Sequence, residues 1–104
     1  MDNYIVKLSS KAESDYINII SYIQNSLMEP DIAKKYAILI KDEISNLEFS
    51  PQRFSIVDTS IVKHKNIRKL IIKNYIVFYR INEEKKIVTV ERILYGGTNW
   101  KNLL

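Results

Sequence analysis

IRKLIIKNYIVFYRINEEKKIVTVERILY, residues 67–95, decides the fold. Three runs within it, 67–72, 75–81 and 86–95, are dense in β-branched and aromatic residues, the composition that suits a pleated, half-buried surface. Lys73-Asn74 separates the first two and reads as a tight two-residue turn; the polar stretch 82–86 separates the next two. The expectation is a three-stranded antiparallel meander. If the hairpin centred on Glu83-Glu84 pairs Tyr79 with Thr89, then Ile76, Phe78, Arg80, Val88, Val90, Arg92 and Leu94 share one face. Tyr75, Val77, Tyr79, Ile81, Ile87, Thr89, Glu91, Ile93 and Tyr95 share the other. A slip of one residue exchanges faces along a strand. Neither face reads as purely solvent-facing, so one of them should meet a partner.

Working outward, residues 3–8 (NYIVKL) read as a first strand. Ser10 with Glu13 three residues on is a capping-box signature that predicts a helix start. Ala12, Tyr16, Ile19, Ile20, Ile23 and Leu27 then recur at helical spacing as one apolar stripe. Pro30 suits the first turn of a second helix, where its missing N–H is harmless. Ala33, Tyr36, Ala37, Ile40, Ile44 and Leu47 repeat the period until Pro51 forces the chain out of helical space. Two such helices with a short link pack as an antiparallel hairpin. Residues 52–65 lack a period and are expected to be loop, with room for one short extended piece. The whole chain, 1–104, therefore reads as a single α+β domain of order strand–helix–helix–three strands. A helical hairpin packs on one face of a roughly four-stranded, mostly antiparallel sheet. The other face is expected to lie uncovered and to bind something.

Composition narrows the chemistry. Among 104 residues there is no cysteine and one histidine, which excludes disulfides and thiolate catalysis and argues against a zinc site. No metal and no cofactor are expected. The N-terminus has no basic region leading into an apolar run, and no apolar run approaches spanning length, so a cytoplasmic protein without membrane contact is expected. The net charge of +4 is split: residues 1–50 hold five Lys/Arg and eight Asp/Glu (−3), whereas residues 51–104 hold eleven and four (+7). The second half suits a polyanion or an acidic partner, although lysines also serve to solvate strand edges.

Individual residues carry two readings each. Arg80 and Arg92, set among apolar neighbours, either pair with a carboxylate from the helices or meet phosphates or an acidic partner. Trp100 either anchors the C-terminal tail or offers a stacking platform. His64, between Lys63 and Lys65, is either a general base or simply solvated. Gly96 and Gly97 supply backbone freedom for the chain to leave the last strand.

The element order, together with LSSKAESDYINIISYI (8–23), NIRKLIIKNYIVFYRI (66–81) and VERILYGGTNW (90–100), resembles the RelE/ParE superfamily of type II toxin–antitoxin toxins, sometimes labelled plasmid stabilisation proteins. The resemblance implies growth inhibition relieved by a cognate antitoxin whose acidic, amphipathic C-terminal segment folds onto the toxin. RelE-like members cut ribosome-bound mRNA without metal; ParE-like members poison DNA gyrase. On the first branch, Lys69, Arg92, Tyr95 and Arg68 would be the catalytic set. The pattern is thinned, however. Ile76 stands where an arginine is common, Thr98-Asn99 stand about where an Arg-Asp pair is common, and Tyr95 replaces a frequent histidine. Metal-free RNA cleavage needs a base, an acid and cations for the phosphate, so the chain resembles the ParE-like branch more. The alternatives are a RelE-like endoribonuclease and a degenerate toxin acting only as an antitoxin-binding corepressor. The partner-binding residues implied are Ile76, Phe78, Arg80, Arg92 and Trp100, and Arg92→Glu is expected to weaken the antitoxin complex.

Overall fold

The two helices carry the chain from one edge of the sheet to the other. A computed structural model describes residues 3–57 and 66–104. The elements are β1 (Ile5–Leu8), α1 (Ser10–Ser21) running into a π-helical turn (Tyr22–Ser26), α2 (Pro30–Ser45), β2 (Arg68–Ile72), β3 (Tyr75–Asn82) and β4 (Ile87–Tyr95). They form a four-stranded sheet in the order β1-β4-β3-β2. β2–β3 and β3–β4 pair antiparallel, and β1 pairs parallel with β4. The architecture is the expected α+β arrangement. The parallel pair is available because the long helical crossover carries the chain back, which a tight turn cannot do. The main core lies between helices and sheet: Ala12, Ile40, Ile44 and Leu47 pack on Leu70, Val77, Tyr79, Val88, Val90 and Ile93. No helix among the described residues is long and apolar enough to cross a membrane.

The register of β3–β4 differs from the expectation. Tyr79 lies opposite Val90 and Arg80 opposite Thr89, closing on Asn82↔Ile87, so the connecting loop is one residue longer than expected. Lys86 takes a left-handed φ of 56° at its end. Beyond Tyr79 the register shifts again, with Phe78 opposite Arg92, so Glu91 is the extra residue of a β-bulge. Val88 and Val90 therefore face the helices with Val77 and Tyr79. Thr89 joins Arg80 on the front, the face away from the helices. Past the bulge the expected division holds: Val77 lies opposite Ile93 on the helix side, Ile76 opposite Leu94 on the front.

Helix boundaries also move. The cap is Ser9, not Ser10: its hydroxyl oxygen accepts the Ala12 N–H at 3.0 Å and donates to the Glu91 carbonyl at 2.8 Å, joining α1 to the bulge. Pro30 begins α2 as expected. Ile23 is buried, but the π turn, with Leu27 N–H bonded to Tyr22 O, widens the helix and carries Leu27 off the apolar stripe to an exposed position. Met28 follows with φ 53°, the left-handed conformation normally given to glycine at a helix end. Met28→Gly should therefore raise stability by about 0.5–1 kcal/mol and Tm by a few degrees, read by thermal unfolding.

The front of the sheet is not bare, which corrects the expectation of an uncovered face. Phe78 and Leu94 on the front are buried with Val57 and Ile67, and Ile76, Trp100 and Leu104 pack against them. Trp100 sits on Phe78 at 5.1 Å between ring centroids. The expected short extended piece exists: Val57 N–H bonds Ile67 O at 2.7 Å and Lys69 N–H bonds Ser55 O at 3.0 Å, so residues 55–57 line the outer edge of the β2 start. At the opposite corner, the Tyr4 hydroxyl donates to Glu83 Oε1 at 2.5 Å, and Gln52 donates to both residues. These hydrogen bonds, Gln52 first, hold the Glu83 carboxyl below the usual carboxylate range. They tie the β3–β4 loop to β1.

Candidate partner-binding surfaces

Arg92 is committed within the fold. Its Nε donates to Asp15 Oδ2 at 2.8 Å and its Nη2 to Asp15 Oδ1 at 2.9 Å. Asp15 Oδ2 also accepts the Ile93 backbone N–H at 3.0 Å. The side chains are 18% and 13% exposed, so this fork is largely sheltered. The Asp15 hydrogen bonds raise the Arg92 pKa further above its already high value. Of the two readings of Arg92, the structure shows the ion pair with a helix carboxylate. Arg80 is looser: it meets Glu91 at 3.2 Å across the hairpin and stays about half exposed. Arg80 and Arg92 share the wall of a hollow of about 300 Å3 with Ser10, Lys11 and Leu104.

The four residues of the nuclease reading do not converge. Lys69 and Arg92 are the two cross-strand neighbours of Phe78, one on each side, so two strand spacings, about 10 Å, separate them. Trp100 covers the ring between them. Arg68 points the other way and donates to the carbonyls of Gln52 at 2.9 Å and Phe54 at 2.6 Å. Tyr95 lies opposite Tyr75 and contacts its ring edge-on at 6.0 Å, while Tyr75 in turn contacts Tyr36 on α2. Burial and the neighbouring tyrosines raise the Tyr75 pKa, so that hydroxyl stays neutral. His64 lies outside the described residues.

The residues of the partner-binding reading separate by exposure. Phe78 is 0% exposed and has no surface to offer. Ile76 and Trp100 are partly exposed, and Arg80 is open. Trp100 takes its anchoring role, packed on Phe78. Sequence reasoning missed a second apolar surface: Ile17, Tyr22, Leu27, Met28, Ile32 and Ile38 are exposed along the helical hairpin. Ile17 and Ile38 lie just outside the buried stripes, and no periodicity flags them. The two glycines act differently from the expectation. Neither has a positive φ. They are needed for close approach: a Cβ on Gly97 would lie 2.6 Å from the Tyr95 ring, and one on Gly96 3.2 Å from Asn74 O.

A profile of the ParE toxin of type II toxin–antitoxin systems, parDE, matches residues 6–100. The chain is similar to a structure of the chromosomal ParDE toxin–antitoxin system of P. aeruginosa, with TM-score 0.72 and 18% identity over 91% of this chain and 98% of that one. It is also similar to a chain of the RelBE2 toxin–antitoxin complex of Mycobacterium tuberculosis, with TM-score 0.65 and 19% identity over 91% and 93%. A third likeness is to the archaeal RelE–RelB complex of Pyrococcus horikoshii, with TM-score 0.56 and 13% identity over 91% and 97%. No curated protein matches the chain.

Proposed function

This chain belongs to the ParE toxin family of type II toxin–antitoxin systems, and from that premise we propose that it poisons DNA gyrase by binding it, without catalysis of its own. A cognate antitoxin with an acidic, amphipathic C-terminal segment silences it, and both act in the cytoplasm.

The observation that carries this reading is the dispersal of Lys69, Arg92, Tyr95 and Arg68. Phosphoryl transfer to a 2′-hydroxyl needs a base, an acid and charge stabilisation within hydrogen-bond reach of one phosphate. Here Arg92 is held by Asp15, Arg68 by two carbonyls, and a tryptophan-capped phenylalanine stands between Lys69 and Arg92. The remaining assets are those of a binding protein: a basic second half and exposed apolar side chains beside it.

Purified protein tests the reading. Incubation with gyrase and supercoiled plasmid should yield gyrase-dependent cleaved DNA, abolished when a cognate antitoxin is added. Cut mRNA in a translation extract, with gyrase unaffected, would replace it with the nuclease reading. A tight antitoxin complex with neither effect would leave only the corepressor role.

A further inference from the structure

The β2–β3 turn, the end of β4 and the π-helical end of α1 bound a hollow of about 620 Å3. Asn18, Tyr22, Leu27, Asn74, Tyr75 and Tyr95 line it. It lies on the helix side of the sheet, since Tyr75 pairs with Tyr95 and contacts Tyr36 on α2 edge-on. Lys69, Phe78 and Trp100 belong to the opposite face. Polar groups at this hollow are unspent. Elsewhere in the chain Tyr4, Tyr16 and Tyr79 each donate a hydroxyl hydrogen bond. The hydroxyls of Tyr22, Tyr75 and Tyr95 and the side-chain amides of Asn18 and Asn74 have no protein partner among the described residues. Tyr22 and Tyr95 are 54% and 55% exposed, and Tyr75 is half-buried. The Tyr95 ring is held by its edge-on contact with Tyr75 and by Gly97, whose backbone comes so near that a Cβ would stand 2.6 Å away. A second hollow, of about 250 Å3, adjoins the first: the two share Asn74 and Tyr95, and Lys73 lines the second. Among the described residues no acidic side chain lines either.

We propose that this corner binds a nucleotide, its base among Tyr22, Tyr75 and Tyr95 and its phosphate toward Lys73. Aromatic side chains receive a base by stacking, and every base has a π-face to offer. A side-chain amide sets a donor beside an acceptor, the pattern that reads a base edge. Other ligand classes fit less well. A quaternary ammonium suits an aromatic cage, but here it would find no carboxylate and would meet Lys73. A purely apolar ligand would cover hydroxyls and amides without giving them partners, which costs free energy. Binding at this corner is independent of how the chain meets gyrase.

NMR titration of the full chain tests the site with adenosine, adenosine monophosphate, ribose 5-phosphate and a short single-stranded oligodeoxyadenylate. Adenosine and its monophosphate should shift the side-chain amide signals of Asn18 and Asn74. The indole signal of Trp100, on the other face, should not move. Ribose 5-phosphate should bind at least tenfold more weakly than the monophosphate. Tyr22→Ala, at an exposed ring, should cost at least tenfold in affinity and Tyr22→Phe less than threefold, both with circular dichroism unchanged. Lys73→Glu should weaken the monophosphate and spare adenosine. Tighter binding of the oligonucleotide than of the monophosphate assigns the site to single strands; equal or weaker binding assigns it to free nucleotides. Ribose 5-phosphate binding as tightly as the monophosphate, Trp100 shifting with the amides, or an affinity untouched by Tyr22→Ala overturns the proposal. So does the absence of binding by both adenosine and its monophosphate.

Discussion

Asp15→Ala will destabilise the protein by about 3 kcal/mol, a large share of the roughly 5–15 kcal/mol that holds a domain of this size together. The substitution strips Arg92 of both its charged acceptors and leaves the Ile93 N–H without its acceptor. An uncompensated, largely sheltered guanidinium costs more than the pair contributes, and residual solvent access keeps the figure at the lower end of the range for buried pairs. The double replacement Asp15→Leu/Arg92→Met should recover the part of the loss that comes from the unpaired guanidinium, because two apolar side chains need no solvation, while the Ile93 N–H still lacks its acceptor. Urea denaturation of the three variants checks both statements. A single-variant loss below about 1 kcal/mol would mean the pair behaves as an exposed one. The same geometry corrects the expected use of Arg92→Glu: that variant sets two carboxylates against each other beneath α1, so it reports on folding rather than on an antitoxin contact.

This ion pair also marks how far the sequence could be read. Arg92 stands out as a basic residue in an apolar strand, and a helix carboxylate is the expected partner type. Nothing in SSKAESDYIN, however, distinguishes Asp15 from Glu13, since the choice depends on how α1 is rotated over β4. Strand identity in 67–95 was legible because β-branched and aromatic density is a local property, and the Lys73-Asn74 turn was legible for the same reason. The faces of β4 were only partly legible. A left-handed Lys86 lengthens one loop and the Glu91 bulge inserts one residue, and both answer to tertiary packing, with Ser9 bonded to the bulge carbonyl. Leu27 left its stripe because the helix widened, which a count at intervals of three and four cannot register. The cover over the front was visible only as Trp100 anchoring a tail. That it lands on Phe78, a residue expected to contact a partner, follows from the path of the chain after Gly97. The edge of β2 was legible as residues but not as an edge, since strand order is set by the parallel return of β1.

Raising the pH from 10 to 12 will destabilise the protein progressively, and Tyr79 will account for the largest single share. Its ring is 0% exposed and its hydroxyl donates to the Pro51 carbonyl at 2.6 Å. Burial pushes its pKa up to about 12, against a smaller opposing pull from Arg68 and Arg53. Below pH 10 the tyrosine is protonated in both states and the fold feels nothing. Between 10 and 12 the unfolded chain gives up a proton that the folded chain retains, so stability falls as pH rises, by on the order of 2–3 kcal/mol in total. Burial also raises Tyr16 and Tyr75, and both add slope of the same sign. Tyr79→Phe isolates the main contribution. At pH 7 it forfeits the bond to Pro51 and costs about 1 kcal/mol. Above pH 10 its stability declines less steeply, and the two proteins should become equally stable before pH 12. Parallel decline of the two denaturation free energies would show that the Tyr79 hydroxyl ionises freely in the folded state. It would then be no clasp between the Pro51 turn and β3, and the anchoring of residues 51–54 would rest on the two carbonyl bonds of Arg68 and on the Gln52 bonds to Tyr4 and Glu83.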